Sequence, residues 1–320
     1  MKKIRLSKFI KMIVVILFLI SVAASFYFFH VAQVRDDKSF ISNGQRKPGN
    51  SLYAYDKSFD KLLKQKIEMT NQNIKQVAWY VPAAKKTHKT AVVVHGFANS
   101  KENMKAYGWL FHKLGYNVLM PDNIAHGESH GQLIGYGWND RENIIKWTEM
   151  IVDKNSSSQI TLFGVSMGGA TVMMASGEKL PSQVVNIIED CGYSGVWDEL
   201  KFQAKEMYGL PAFPLLYEVS TISKIRAGFS YGQASSVEQL KKNNLPALFI
   251  HGDKDNLPAL FIHGDKDNFV PTSMVYDNYK ATAGKKELYI VKGAKHAKSF
   301  ETEPEKYEKR ISSFLKKYEK

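Results

Sequence analysis

Residues Gln159 to Ser176 read QITLFGVSMGGATVMMAS. Gln159 to Val165 is an apolar run of strand formers, Gly169 to Ser176 is small and helix-compatible, and Gly164-Val165-Ser166-Met167-Gly168 joins them. A strand that runs into a helix through Gly-x-Ser-x-Gly makes a sharp turn, with glycines two before and two after the serine allowing strand and helix to approach without Cβ clashes. Such a turn lifts a hydroxyl above the edge of a sheet. Ser166 is therefore the candidate nucleophile, and the flanking strand and helix weigh against a plain glycine-rich turn.

A serine hydroxyl attacks poorly at neutral pH and needs a base that is itself oriented by an acid. His296, in Lys292-Gly293-Ala294-Lys295-His296, follows the last predicted strand and precedes the terminal helix, which suits a proton-shuttling imidazole. The acid belongs at a strand end before it. Asp267, in Gly264-Asp265-Lys266-Asp267 ahead of Phe269-Val270-Pro271, is the candidate. Asp255 is the alternative, because Asn244–Asp255 and Asn256–Asp267 both read NLPALFIHGDKD. Only one copy can occupy a sheet position, and the other adds a loop at a closure cost of about 1 kcal/mol. An exact repeat of this kind is a local duplication rather than a solenoid. For the oxyanion, the expected donors are the backbone N–H groups of Met167, next after the nucleophile, and of Phe97 in His95-Gly96-Phe97. His95 itself is expected to support that loop.

Working outward, short β-branched runs alternate with helical patterns. Strands are predicted at 76–81, 90–95, 117–121, 159–165, 184–189, 259–263 and 287–291, and helices at 101–114, 140–152 and 303–318. That rhythm specifies an α/β fold built on a mostly parallel central sheet flanked by helices. Residues 192–243, bearing Trp197, Tyr208, Phe213, Tyr217 and Phe229, interrupt it as a cap insertion or a peripheral subdomain. Residues 244–267 hold the tandem duplication.

The order Ser166, Asp267, His296, the segment His95-Gly96-Phe97, and Pro121-Asp122-Asn123-Ile124-Ala125-His126-Gly127-Glu128-Ser129 together resemble the serine-type α/β-hydrolase superfamily over about residues 75 to 318. With the N-terminal segment described next, the chain is similar to membrane-anchored bacterial extracytoplasmic hydrolases of the serine aminopeptidase-like group. The resemblance implies cleavage of an ester, thioester or amide through an acyl-enzyme, carboxylesterase-like in the first instance. A serine peptidase is the alternative, as is a hydrolase-fold binding protein impaired by the duplicated acid strand.

Met12 to Phe29 is apolar except for Ser21 and Ser25, and it follows Lys2, Lys3, Arg5, Lys8 and Lys11. At 1.5 Å per residue it is about 27 Å long, near the thickness of a hydrocarbon core. The positive-inside rule then places residues 1–34 as a signal-anchor, 35–50 as a linker and the body, 51–320, on the extracytoplasmic side of the cell membrane. Cleavage near Val22-Ala23-Ala24-Ser25 is the competing expectation.

With 44% hydrophobic and 23% charged residues the chain can bury a core, and the single cysteine, Cys191, excludes an internal disulfide framework. The five leading cations account for part of the net charge of +13, leaving +8. No basic block with interleaved aromatics remains, so a nucleic-acid partner is not expected. Anionic envelope polymers are the partner class that a mildly basic body would attract, beside a small-molecule or peptide acyl substrate. No cofactor is expected, since no Gly-x-Gly-x-x-Gly follows the first strand. No metal is expected either, since His126, Glu128 and His130 lack the His-Glu-x-x-His order.

Overall fold

The computed structural model describes residues 2–36, 45–242, 258–282 and 284–318, with side chains from residue 8 onward. In chain order its elements are α1 (Lys2–Gln33), α2 (Tyr53–Asp60), β1 (Gln65–Asn71), β2 (Ile74–Val81), β3 (Lys89–Val94), α3 (Lys105–Lys113), β4 (Asn117–Pro121), α4 (Asp140–Lys154), β5 (Gln159–Val165) and α5 (Met167–Ser176). There follow β6 (Val184–Asp190), α6 (Val196–Tyr208), α7 (Leu215–Ala227), α8 (Ser236–Lys242), β7 (Ala259–Gly264), α9 (Ser273–Ala281), β8 (Lys286–Val291), α10 (Ser299–Thr302) and α11 (Pro304–Tyr318).

The eight strands form one sheet in the order β1-β2-β4-β3-β5-β6-β7-β8. β2 is antiparallel to β1 and β4, and every pairing from β4 to β8 is parallel. The inner strands are buried on both faces, which is why they read as unbroken apolar runs. Alternate side chains supply two cores: Val92, Val94, Ile160 and Leu162 on one face, Ala91, Val93, Phe163 and Val165 on the other.

Among the differences from the sequence expectation, one helix start moves and one strand is added. The helix expected from residue 101 begins as a 3-10 turn, Lys101–Met104, capped by Ser100, and becomes α-helical at Lys105. Its opening is held by Asp122, whose Oδ1 accepts the Lys101 N–H at 2.8 Å, while the Lys101 ammonium also pairs with that carboxylate. β1 was not anticipated, because its alternation leaves only Met69 buried on a polar edge strand.

β7 is formed by the second copy of the duplicated segment. The first copy, Asn244–Asp255, and with it Asp255, lies outside the described residues.

The C-terminal half of α1 is built into the body. Phe29 is 1% exposed and Gln33 is fully buried, with Gln33 Nε2 donating to the Ile134 carbonyl at 3.1 Å and Tyr231 donating to Gln33 Oε1 at 3.1 Å. Tyr136 donates its hydroxyl to the Ala32 carbonyl at 2.7 Å, and Arg35 donates to the carbonyls of Ser129 and Gly127, both at 2.7 Å. Phe9 to Ile20, in contrast, turn large apolar side chains outward.

Candidate active site

Ser166 sits between β5 and α5 with φ +56° and ψ −120°, a backbone conformation that ordinary side chains rarely adopt. The turn is held from both sides: the Ser166 N–H donates to the Asp190 carbonyl at 2.8 Å, and the Ser166 carbonyl accepts the Ala170 N–H at 2.9 Å. A Cβ on Gly164 would lie 2.1 Å from the Gly168 carbonyl oxygen, and one on Gly168 would lie 2.2 Å from that of Val94. Glycine is required at both positions.

His296 comes from the loop after β8. Its Nε2 is 2.9 Å from Ser166 Oγ and its Nδ1 is 2.8 Å from Asp267 Oδ2. With a carboxylate as its neighbour, Nδ1 carries the proton and donates, which leaves Nε2 free to accept from the serine hydroxyl. The Phe269 ring packs against the imidazole with centroids 4.9 Å apart.

Asp267 is more firmly held than its position in a loop suggests. Oδ1 accepts the backbone N–H groups of Phe269 and Val270, both at 2.9 Å. His263, on β7 and fully buried, places Nε2 3.0 Å from the Val270 carbonyl and 3.3 Å from Asp267 Oδ2. Both neighbours are acceptors, so that nitrogen carries the proton. Burial alone would raise the Asp267 pKa, but the hydrogen bonds from His263 and His296, with their charge, outweigh it and hold the carboxyl well below the usual range. His263 escaped the sequence reading, although its place four residues before Asp267 on a strand end is a usable signal.

The same contacts explain why the second copy serves. The residues two and three beyond Asp267 are Phe269 and Val270, which both donate; those beyond Asp255 are Leu257 and Pro258, and proline has no N–H. In the first-copy register the carboxylate would lose one of its two backbone donors.

The loop after β3 approaches the candidate nucleophile so closely that a Cβ on Gly96 would lie 3.2 Å from Ser166 Cβ. Ala98 has φ +55° and donates its N–H to His126 Nε2 at 3.2 Å. His95 Nδ1 donates to the Gly96 carbonyl at 2.7 Å and Nε2 accepts the Asn123 N–H at 2.9 Å, and burial lowers its pKa. A neutral His95 thus ties this loop to the 121–129 segment. Within that segment Asp122 accepts from Glu128 N–H and Ser129 donates to the Asp122 carbonyl, both at 2.8 Å. Met167 opens α5, so its N–H has no intrahelical acceptor; Met167, Phe97 and Ser166 line one cleft together.

Two clefts meet at Ser166. One is almost wholly apolar, with Phe97, Tyr136, Leu200, Met207 and Leu216 among its walls. The other has walls of mixed polarity and contains His296, Asn99, Asn103, Arg46 and Lys298. Glu199 is the buried acid of the apolar cleft; burial pushes its pKa up to about 8 against the Gln203 hydrogen bond, which pulls it down. Among the described residues, one group of three potential metal ligands exists, Cys191, Asp267 and His296. Burial raises the Cys191 thiol well above its usual pKa, and Asp267 and His296 are already hydrogen-bonded to each other.

Residues 90–218 match the family model described as the alpha/beta hydrolase fold. The chain has the α/β-hydrolase fold. An esterase of Pyrococcus furiosus, Pf2001, superposes on this hydrolase-fold body with a TM-score of 0.64 at 20% identity, covering 87% of this chain and 96% of that one. An acylaminoacyl peptidase of Pyrococcus horikoshii gives 0.58 at 18% identity, over 82% of this chain and 43% of that one. The uncharacterized protein YqkD of Bacillus subtilis (strain 168) is 28% identical over 237 residues, 74% of each chain.

Proposed function

We propose that the protein is a membrane-anchored serine hydrolase that cleaves a carboxylic ester through an acyl-enzyme. The observation that carries this reading is the unbroken hydrogen-bonded chain from Ser166 Oγ through His296 to Asp267, on a turn that exposes the hydroxyl to two clefts. Ser166 attacks the acyl carbon as His296 Nε2 takes its proton, and Asp267 stabilises the imidazolium and fixes its tautomer. The N–H groups of Met167 and Phe97 receive the developing oxyanion, each donor worth about 3 to 4 kcal/mol. Collapse breaks the bond to the leaving alcohol, which takes the proton from His296. Water, deprotonated by the same imidazole, then releases the acid and restores the serine.

The anchor rests on Lys8–Gln33, a helical stretch long enough to cross a membrane that contains an 18-residue window of mean hydropathy 2.6. The cations before it argue for an extracytoplasmic body. The fold at large hosts many chemistries, so the ester preference draws on the apolar cleft beside the nucleophile rather than on the fold. Hydrolysis of p-nitrophenyl butyrate by the full chain is the test: Ser166→Ala should lower kcat by about 10⁴-fold or more. An alanine variant as active as the wild type overturns the reading.

A further inference from the structure

The anchor helix and the nucleophile share one cavity. Phe28, Val31 and Ala32 of α1 line the apolar cleft that contains Ser166, and Met207 and Tyr208 at the end of α6 form part of the facing wall. The ring of Phe28 meets that of Tyr208 edge-on, with centroids 5.1 Å apart.

Helix length then fixes the depth of this cleft. The wholly outward-facing part of α1, Phe9 to Ile20, is about 18 Å long at 1.5 Å per residue, some 12 Å short of a hydrocarbon core of about 30 Å, and Phe26 and Tyr27 continue its exposed apolar face beyond that. Only the next turns of α1 can supply the difference, and they are already packed on α7, so the body sits into the outer leaflet. Phe28 lies eight residues beyond Ile20, about 12 Å further along the axis, at the boundary between acyl chains and headgroups. The nearby cap carries a matching apolar surface, with Phe213 74% and Ile225 78% exposed, beside Tyr217.

The second cleft differs in chemistry. His296, which protonates the leaving group, faces it, so the leaving group belongs on that side. Its charges are matched within the protein: Arg46 with Asp56 and Lys105 with Asp60, both at 2.9 Å, and Lys298 with Glu301 at 2.8 Å. Such a surface suits an uncharged, hydroxylated group better than an anion.

We propose that the cleft walled by Phe28, Val31 and Ala32 is an acyl-chain port open to the outer leaflet, and that the substrate is a bilayer-resident, single-chain acyl ester of an uncharged polar alcohol. The proposal rests on the serine-hydrolase reading. The cleft holds about 140 Å³, close to the roughly 150 Å³ apolar cavity that accepts benzene, so about six carbons fit beside Ser166 and the rest of the chain follows α1 outward. Ser166 Oγ bonds to the acyl carbon, the bond to the alcohol oxygen breaks, and His296 delivers the proton to that oxygen; water then yields the carboxylic acid. Ester and water are consumed, acid and alcohol are formed, and no further reactant is required.

The test uses the full chain reconstituted in phosphatidylcholine vesicles, with monodecanoylglycerol in the bilayer and p-nitrophenyl acetate in solution. Turnover of monodecanoylglycerol should follow its mole fraction in the bilayer at fixed bulk concentration. Val31→Trp, Ala32→Trp and, from the opposite wall, Met207→Trp should each lower the decanoyl-to-acetyl ratio of kcat/KM by about tenfold or more. Labelling of each variant by a fluorophosphonate reports whether its nucleophile is still assembled, and any one variant that labels suffices. A ratio unchanged in labelled variants, or turnover set by bulk concentration alone, overturns the port. A wild-type chain that neither labels nor hydrolyses acetate overturns the serine-hydrolase reading instead.

Discussion

Ser25 of α1 donates its hydroxyl to the carboxylate of Glu218 on α7 at 2.5 Å, and Ser21 donates to the same oxygen at 2.8 Å. The two polar interruptions of the apolar run Met12 to Phe29 are thus points at which it is fastened to α7. Cleavage after Ala24 would remove Ser21 and leave α1 without the turns that precede Phe29. The intact mass of the membrane-bound protein is expected to retain residues 1–24. The double variant Ser21→Ala/Ser25→Ala should lose about 1 to 3 kcal/mol by leaving Glu218 without these partners, read as a fall in Tm of several degrees in vesicles. A protein lacking its first 24 residues, or a Tm unchanged in the double variant, would contradict this account of α1.

The duplicated strand offers a sharp comparison of two identical acids in different company. Asp267→Asn should lower kcat by about 10⁴-fold, because an amide beside Nδ1 favours the wrong imidazole tautomer. Asp255→Asn should leave the steady-state rates of ester hydrolysis unchanged. The reverse pattern would mean that the first copy occupies β7.

Removing either copy gives the same shortened chain, since the two are identical in sequence. That chain keeps one NLPALFIHGDKD followed by Asn268-Phe269-Val270-Pro271, so Asp267 retains both backbone donors. Its kcat/KM on p-nitrophenyl butyrate should stay within about threefold of the wild type, with a stability change of about 1 kcal/mol from the shorter connection. A gain or loss of orders of magnitude would show that the insertion shapes the site.

Glu199 links the apolar cleft to pH. Its pKa rises from 4.5 to about 8, chiefly through burial, so between those values the native protein keeps a proton that the unfolded chain releases. Stability therefore falls as pH rises through that window. Glu199→Gln should flatten the decline, giving a Tm above the wild type at pH 8 and a difference that vanishes near pH 4.5. Parallel Tm-against-pH curves would refute the shift.

The elbow and the imidazole were legible in the sequence because each depends on local pattern and chain order. Gly164 and Gly168 announce a turn that only glycines can make, and His296 follows the last strand. The Asp255 or Asp267 choice could not be settled by identical twelve-residue strings; it turns on Val270 against Pro258, three residues downstream of each acid. His263 was missed because a strand histidine looks like core until its neighbours are known. The role of α1 was hidden for a different reason. An apolar helix reads as membrane-spanning whether or not its last turns also pack on a cap, and only tertiary contacts from Glu218, Tyr231 and Tyr136 reveal the second use.

In the proposed reaction the Ser166 hydroxyl is the nucleophile and His296 activates it. Treatment of the full chain with a fluorophosphonate, followed by digestion and peptide mass mapping, tests it most directly. A single stoichiometric adduct on Ser166 is expected, with labelling slowed by orders of magnitude in His296→Ala. An adduct on another residue, or ester hydrolysis that persists in a protein fully modified at Ser166, would contradict it.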